Sequence, residues 1–453
     1  MSAQQMTLPL SHRTRAGLKG AAAITALVLG AAVPAWAHTE LQWWHAIAGG
    51  NNSVIVRLAE EFNSAQTDYK IVPIYKGTYP ETMRAGLAAF RAGNAPHILQ
   101  VFEVGTATMM AAKGAVKPVY ELMQEAGEPF DPKAYLPAVA SHYSTATGEM
   151  LSFPFNSSTM VTWINRDALK RARLNPDHPL KTWPELFEAA RRLKNAGFST
   201  CGFSTTWAVW AHLEQLSAWH NVPFATQANG LEGPDAELVF NGPIQIRHLQ
   251  NLAALQKDKT FDYSGRGYGG ETRFTSGECP LLLNSSGFYG NVKANARFDW
   301  AAAPMPYYPD VPGAPQNSII GGASVWAMGG RSLDEYRGVA RFFTFLSDTD
   351  RQARLHQESG YLPITRAAYE KTKASGFYQK NPSLEVALIE LTSKEPTENS
   401  RGLRLGNMVQ LREVVAEEIE AALAGEKSAK EALNSAVERG NQILRQFERQ
   451  GVR

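Results

Sequence analysis

Cysteine is almost absent from this sequence: Cys201 and Cys279 are the only two in 453 residues. With no C-x-x-C, the pair fits neither a zinc ribbon nor a thioredoxin-type redox motif, and two cysteines alone cannot make a metal site. An excess of either charge is also missing. The 45 Lys and Arg stand against 43 Asp and Glu, a net of +2. That balance gives no pull towards nucleic acid or an anionic membrane surface. Catalytic signatures are missing too. The ten histidines form no H-E-x-x-H and no H-x-H, and there is no G-x-S-x-G elbow and no Walker A loop. No carboxylate pair stands out for glycoside hydrolysis. "GRGYGG" (265–270) lacks a preceding strand and the Lys-Ser/Thr ending of a phosphate loop, so it reads as a flexible surface loop. His45, after Trp43 and Trp44, reads as a packed structural histidine at a strand end.

One hydrophobic run does occur. No acid precedes Glu40, while Arg13, Arg15 and Lys19 lead into "AAAITALVLGAAVPAWA", which ends in Ala-Trp-Ala. This is the pattern of a secretory signal peptide cleaved after Ala37. No later stretch reaches the ~18 apolar residues that a membrane span needs. Removing three cations and no acid takes the net charge from +2 to −1. An exported pair of cysteines is a disulfide candidate, the alternative being two separately buried thiols. We expect Cys201 and Cys279 to be bridged.

From Leu41 the pattern alternates. "LQWWHAI", "YKIVPIYKG" and "HILQVFEV" read as strands. Between them lie helical "SVIVRLAEEFNSA", with Val54, Leu58 and Phe62 on one face, and "PETMRAGLAAFRAG", opened by Pro80 and closed by Gly93. This β-α-β-α-β order implies a parallel sheet. A second series starts near Leu151. Capping boxes at Thr182/Glu185, Ser332/Glu335 and Ser428/Glu431 open three further helices. Proline-containing connectors near 153–155, 304–314 and 361–364 suggest crossings between lobes.

The expected fold is therefore α/β, with two lobes and a ligand cleft between them. The leader is 1–37, the N-terminal lobe 38–150 and 305–360, and the C-terminal lobe 151–304 and 361–453. Ligands of open α/β sheets sit beyond the carboxyl ends of strands. There the apolar strand Ile98–Phe102 runs into a lone acid, Glu103, and "FNSS", "STTW" and "NSSG" follow similar strands. Ten tryptophans and 15 tyrosines supply aromatic walls for a small polar ligand. Export, two lobes, an aromatic cleft and no catalytic motif point to solute binding rather than to an enzyme.

Longer motifs carry a resemblance. "YKIVPIYKGTY", "AGNAPHILQVFEVGTATMMAAKGAVKPVY", "PFNSSTMV", "APQNSIIGGAS", "HQESGYLPIT", "GLRLGNMVQLR" and "AVERGNQILRQFE" resemble the periplasmic sn-glycerol-3-phosphate-binding proteins of ABC importers. The likeness spans about Trp44 to Phe447. The wider family includes maltose-binding proteins, and the resemblance implies their two-lobed periplasmic-binding-protein fold with three hinge crossovers. The resemblance implies Tyr79, Glu103, Ser158, Trp207, Trp210, Ser285, Gly322, Tyr361 and Arg412 as ligand contacts. Glu103 would accept hydrogen bonds from glycerol hydroxyls, Gly322 would offer its backbone N–H, and Arg412 would hold the phosphate. Trp207 and Trp210 would wall the site; their plainer reading is core packing at i and i+3 of one helix.

As the phosphate ligand, Arg412 would present two parallel N–H donors, and its loss would weaken binding without moving the melting temperature. One departure is Val409, where the family carries proline; the "GRGYGGETRF" loop is another. The resemblance implies no cofactor and no metal, and it implies capture of glycerol 3-phosphate, or of a diester such as glycerophosphocholine, in the periplasm. The partners are the permease subunits of the importer, with the binding protein a monomer. Within the same class a neutral sugar or oligosaccharide is the alternative ligand. From another class comes an exported glycerophosphodiester hydrolase, for which the sequence offers no metal ligands or acid–base pair.

Overall fold

The computed structural model describes residues 38–145, 147–197 and 199–451. The expected signal peptide, residues 1–37, lies outside the described residues. Within them the first alternating series forms the parallel half of a sheet. β1 (Thr39–His45) lies between β2 (Tyr69–Tyr75) and β3 (Ile98–Phe102), parallel to both. Helices Asn52–Ala65 and Tyr79–Arg91 connect them. The first buries Val54, Ile55, Leu58, Ala59 and Phe62, the stripe its spacing predicts. The second opens on a capping box between Thr78 and Glu81, with Pro80 in its first turn. All five residues of β3 are buried, as a central strand covered on both faces requires. β4 (Val116–Lys117) and β5 (Phe153–Ser158) join this sheet through a later strand.

A second sheet runs in the order β10 (Trp300–Ala303), β6 (Met160–Asn165), β9 (Leu281–Ser285), β7 (Phe203–Thr205) and β8 (Phe261–Asp262). The pairs β10–β6 and β6–β9 are antiparallel, whereas β7 is parallel to both β9 and β8. Cys201 and Cys279 precede the paired strands β7 and β9. They form a disulfide with Cα atoms 5.0 Å apart, and both are fully buried.

The chain then returns. β11 (Gly321–Met328) inserts antiparallel between β3 and β4, and it also pairs with β5. The stretch after Leu151 thus divides between the sheets: β5 belongs to the first and β6 to the second, and the passage falls at Thr159. Pro154, which has no N–H for the ladder, pairs beside a register shift at Ala323/Ser324. The outgoing and returning passages are tied together by one buried side chain. Gln215 Nε2 donates to the Ile319 carbonyl (2.7 Å), Ile319 N–H donates to Gln215 Oε1 (3.1 Å), and the Thr159 hydroxyl donates to the same Ile319 carbonyl (2.9 Å). The other expected capping boxes, Thr182/Glu185, Ser332/Glu335 and Ser428/Glu431, are also formed. No helix among the described residues is long and apolar enough to cross a membrane.

Candidate functional site

A cavity opens where β3, β5 and β9 end and β11 begins. All nine residues singled out in the sequence line it: Tyr79, Glu103, Ser158, Trp207, Trp210, Ser285, Gly322, Tyr361 and Arg412. They come from both sheets and from the helix Met408–Ala424. A second chamber adjoins, sharing Tyr79, Tyr268, Glu271 and Tyr361 and extending past Tyr75 and Asn51.

The hydroxyl of Tyr79 is fixed by a relay. Asn156 Nδ2 on β5 donates to it (2.8 Å), Gln100 Nε2 on β3 donates to Asn156 Oδ1 (2.8 Å), and Ala46 N–H donates to Gln100 Oε1 (2.8 Å). The Tyr79 ring stacks on Phe102, 5.4 Å between centroids. One aromatic wall is therefore held by three elements before any ligand arrives. Opposite, Ser285 accepts a hydrogen bond from Gly287 N–H (3.0 Å) and follows Asn284, whose amide donates to Glu271 Oε1 (3.1 Å). Asn291 holds the other oxygen of Glu271 (2.8 Å). Glu271 is largely buried and has only amide donors, and burial raises its pKa.

Glu103 does not reach solvent. It is 7% exposed, and its Oε1 accepts from Arg412 Nη2 at 2.8 Å. Arg412 is also bound edge-on by Glu214, with Nε to Oε1 at 2.8 Å and Nη2 to Oε2 at 2.6 Å. Two carboxylates therefore share one guanidinium in a nearly closed space, the Glu214 side chain being 1% exposed. Burial pushes the Glu103 carboxyl up to about 7, against the attraction of Arg412 and with the repulsion of Glu214. Burial disfavours the Arg412 cation, but the two carboxylates outweigh it and raise its pKa. The expected phosphate fork is thereby corrected. The Nε–Nη2 edge that would grip a phosphate in bidentate fashion is taken by Glu214. Among the described residues only Nη1 has no hydrogen-bond partner.

The tryptophans also differ from the one-face reading. Trp207 precedes the helix, with a left-handed φ of 49°, a conformation costly for a bulky side chain. Trp210 opens a π-helical turn, Trp210–Glu214, that runs into the helix Gln215–Trp219. The wider turn sends Trp210 into the cavity and, four residues on, Glu214 to Arg412. Trp210 lies over Gly321, where an added Cβ would come within 2.3 Å of its ring. Gly322 has φ +85°, and a Cβ there would meet the Asn156 carbonyl at 1.9 Å. Both glycines are required by this close approach of backbone and ring.

The loop 265–270 is pinned rather than flexible. Arg266 Nη1 donates to Glu413 (2.6 Å), and its Nε and Nη2 donate to Glu420 (2.9 and 2.6 Å). These bonds carry Tyr268 to the cavity, edge-on to Trp207 at 4.9 Å. Val409 lies beside this anchor in an apolar side chamber with Phe102, Trp207 and Val209.

Sequence reasoning missed Phe102, Tyr268, Glu271, Asn284, Gly287, Phe288 and Gly321 in the lining, and Glu214 behind it. Gly321 and Asn284 sat inside quoted motifs, beside residues that were chosen. Glu214 gave no signal, because a π turn cannot be read from spacing. His45 is buried, lines neither chamber, and has its pKa lowered to about 4 by burial. A compact group of Cys201, Cys279 and Asp262 offers no metal site: the sulfurs are bonded to each other, and Asp262 is paired with Lys259 and Arg273.

The family profile described as bacterial extracellular solute-binding protein matches residues 57–386. The chain is a bacterial extracellular solute-binding protein. This solute-binding protein is 51% identical over 420 residues, 93% of its length, to the sn-glycerol-3-phosphate-binding periplasmic protein UgpB of Rhizobium meliloti, of which it covers 97%. It is 49% identical over 431 residues to the protein of the same name from Brucella suis, covering 95% of this chain and 98% of that one. Among solved structures, UgpB from Mycobacterium tuberculosis in complex with glycerophosphocholine superposes with a TM-score of 0.76. Identity there is 19%, with 90% of this chain and 99% of that one covered. Maltose-bound MalE3 of T. maritima superposes with a TM-score of 0.72 at 18% identity, covering 89% and 99%. At such identities these matches speak for the fold alone: this solute-binding protein has the two-lobed α/β architecture.

Proposed function

We propose that this protein captures sn-glycerol 3-phosphate, or a diester such as glycerophosphocholine, in the periplasm and delivers it to the permease subunits of an ABC importer. It acts as a monomer exported by a cleaved signal peptide, and it releases its ligand chemically unchanged. The first lobe is built on the sheet of β1 to β5 and β11, the second on the sheet of β6 to β10. The two close on the ligand by a hinge at three passages, at Thr159, 304–320 and 361–364.

The observation that carries this reading is that one cavity is lined by Arg412, whose Nη1 has no hydrogen-bond partner among the described residues, together with Tyr79, Ser158, Ser285, Tyr361 and Glu103. Nη1 supplies a charge-assisted donor to a phosphoryl oxygen. The hydroxyls add donors around it, and Glu103 accepts from the glycerol hydroxyls. Such bonds contribute ~1.5–3 kcal/mol each, so a handful suffices for the ~−8 kcal/mol of micromolar binding. Glu103 also repels a misplaced phosphate, which orients the ligand. The half-identity to relatives named for glycerol 3-phosphate supports the same ligand.

Calorimetric titration of the mature protein tests this. Glycerol 3-phosphate or glycerophosphocholine should bind, and maltose should not. The ligand should be recovered intact after long incubation. Maltose binding alone would overturn the ligand assignment, and recovery of free glycerol or choline would overturn the assignment as a receptor.

A further inference from the structure

Arg412 is the only cation among the residues lining the cavity, and it is already over-committed. Its Nε–Nη2 edge holds Glu214 at 2.8 and 2.6 Å, and Nη2 also holds Glu103 at 2.8 Å. Glu271 adds a third carboxylate to the wall. With all three ionised, the lining and its support carry more negative than positive charge before any anion enters. The other charged and titratable groups around the cluster do not change that balance. Glu413, next to Arg412, is paired with Arg266. His142 Nε2 bonds the Glu103 carbonyl, and burial keeps this ring neutral with its pKa lowered to about 4. Tyr143 is buried and neutral, its pKa raised. Arg404 is not among the residues lining the cavity, and its Nη2 donates to the carbonyls of Ser141 and His142 (2.6 and 2.9 Å).

A phosphate monoester and a phosphate diester differ in the quantity this cluster measures. The monoester loses a second proton near pH 6, whereas the diester keeps one charge throughout. A second negative charge beside two buried carboxylates is disfavoured.

We propose that Glu214, though it touches no ligand, sets the charge state that the site accepts: by occupying one edge of Arg412 it leaves a single donor end, suited to a singly charged phosphoryl group. This rests on the glycerol-phosphate reading above. Glu214 is a positioning residue. It acts on Arg412 and, together with Glu103, tunes the field at Nη1. Burial raises the Glu103 pKa, and the repulsion of Glu214 adds to it, in keeping with two carboxylates on one guanidinium.

The test is calorimetry on the mature chain with sn-glycerol 3-phosphate and glycerophosphocholine at about pH 5.5 and about pH 8. The readout is the ratio of the two dissociation constants, in which any titration of Glu103 common to both ligands cancels. In the wild type the monoester should lose about tenfold relative to the diester as pH rises through its second ionisation. Glu214→Gln keeps the shape of the side chain and an acceptor for Arg412. It should recover about tenfold of that ratio at about pH 8 and change it less than about twofold at about pH 5.5. A purely structural role for Glu214 would weaken both ligands alike at both pH values and would overturn the proposal. A wild-type ratio that does not change with pH overturns it without any variant. If the wild type binds neither ligand, the functional reading itself falls, and this proposal with it.

Discussion

The Arg412 cluster and the ring chain of His212, His248 and Tyr308 are both buried, both polar, and both adjacent to aromatic side chains. In the ring chain His248 bonds His212 Nδ1 at 2.9 Å and the Tyr308 hydroxyl at 3.0 Å. His220 Nε2 accepts from Tyr308 N–H at 2.8 Å. Burial lowers the pKa of His212 to about 3 and of His220 to about 4, and drives that of His248 well down, so these rings are neutral. The chain lies among Trp183, Phe261 and Tyr308 and lines neither chamber of the cleft. The Arg412 cluster is ionic and carries more acid than base, and Nη1 of this cavity-lining arginine has no hydrogen-bond partner among the described residues. Burial of polar groups therefore does not by itself mark a site. A cation in a cavity lining with an unpaired donor does, because that donor gains a hydrogen bond from a ligand.

The largest expected effect breaks the charged side of this comparison. Arg412→Ala should weaken glycerol-phosphate binding by ~3 kcal/mol or more. It should also destabilise the empty protein by ~3–5 kcal/mol, because Glu103 and Glu214 lose the cation between them. From the sequence alone the melting temperature was expected to stay put; the two buried ion pairs reverse that expectation. Arg412→Lys should recover only part of either loss, since an ammonium cannot serve both an Nε–Nη2 edge and the cavity. Calorimetry and thermal melting report the two effects separately.

Acid should break the neutral side. The histidine pKa values lie below the ordinary 6.5 in the folded state, so their contribution is fully present above about pH 6.5 and is lost as pH falls towards 4 and 3. Melting temperature should drop steeply over that window, with several protons taken up on unfolding. Glu103 acts in the opposite sense. Its raised pKa favours the folded state below about pH 4.5 and is lost as pH rises through about 7. A melting temperature that is flat between pH 6.5 and 4 would contradict the assignment of neutral buried rings.

A third measurement separates holding the fold from holding the ligand. The Cys201–Cys279 bridge braces β7 and β9, whose ends carry Trp207 and Ser285. Replacing both cysteines by serine should cost ~2–4 kcal/mol of stability, with affinity nearly unchanged. Thiol labelling of the unreduced, denatured wild type should find no free thiol.

The smallest effect sharpens the charged cluster itself. Glu103→Gln should cost ~1–2 kcal/mol of affinity, as the amide still accepts from a hydroxyl. It should also flatten the stability profile between about pH 4.5 and 7. A loss as large as that of Arg412→Ala would mean that the Glu103 charge, rather than its hydrogen-bonding capacity, serves the ligand.

Much of this protein is written locally. The apolar stripe of Val54, Leu58 and Phe62, the capping boxes at Thr182 and Ser332, and the run of Ile98, Leu99, Val101 and Phe102 in β3 each depend on residues within a turn or two of one another, so their periodicity and caps are legible in one dimension. The motif likeness extended this reach to the nine residues that converge on the cavity. What the tertiary structure alone decided is partner choice. β5 joins the first sheet because β11 returns some 160 residues later to pair with it, a match that no local pattern encodes. Loop 265–270 is tied to a distant helix because Arg266 finds Glu413 and Glu420 there. Arg412 meets Glu214 and Glu103 across 198 and 309 residues. Sequence determines which side chains carry charge. How many charges share one buried space, and which donor is left over for a ligand, depends on chain closure and the removal of water, and these exist only once the fold has formed.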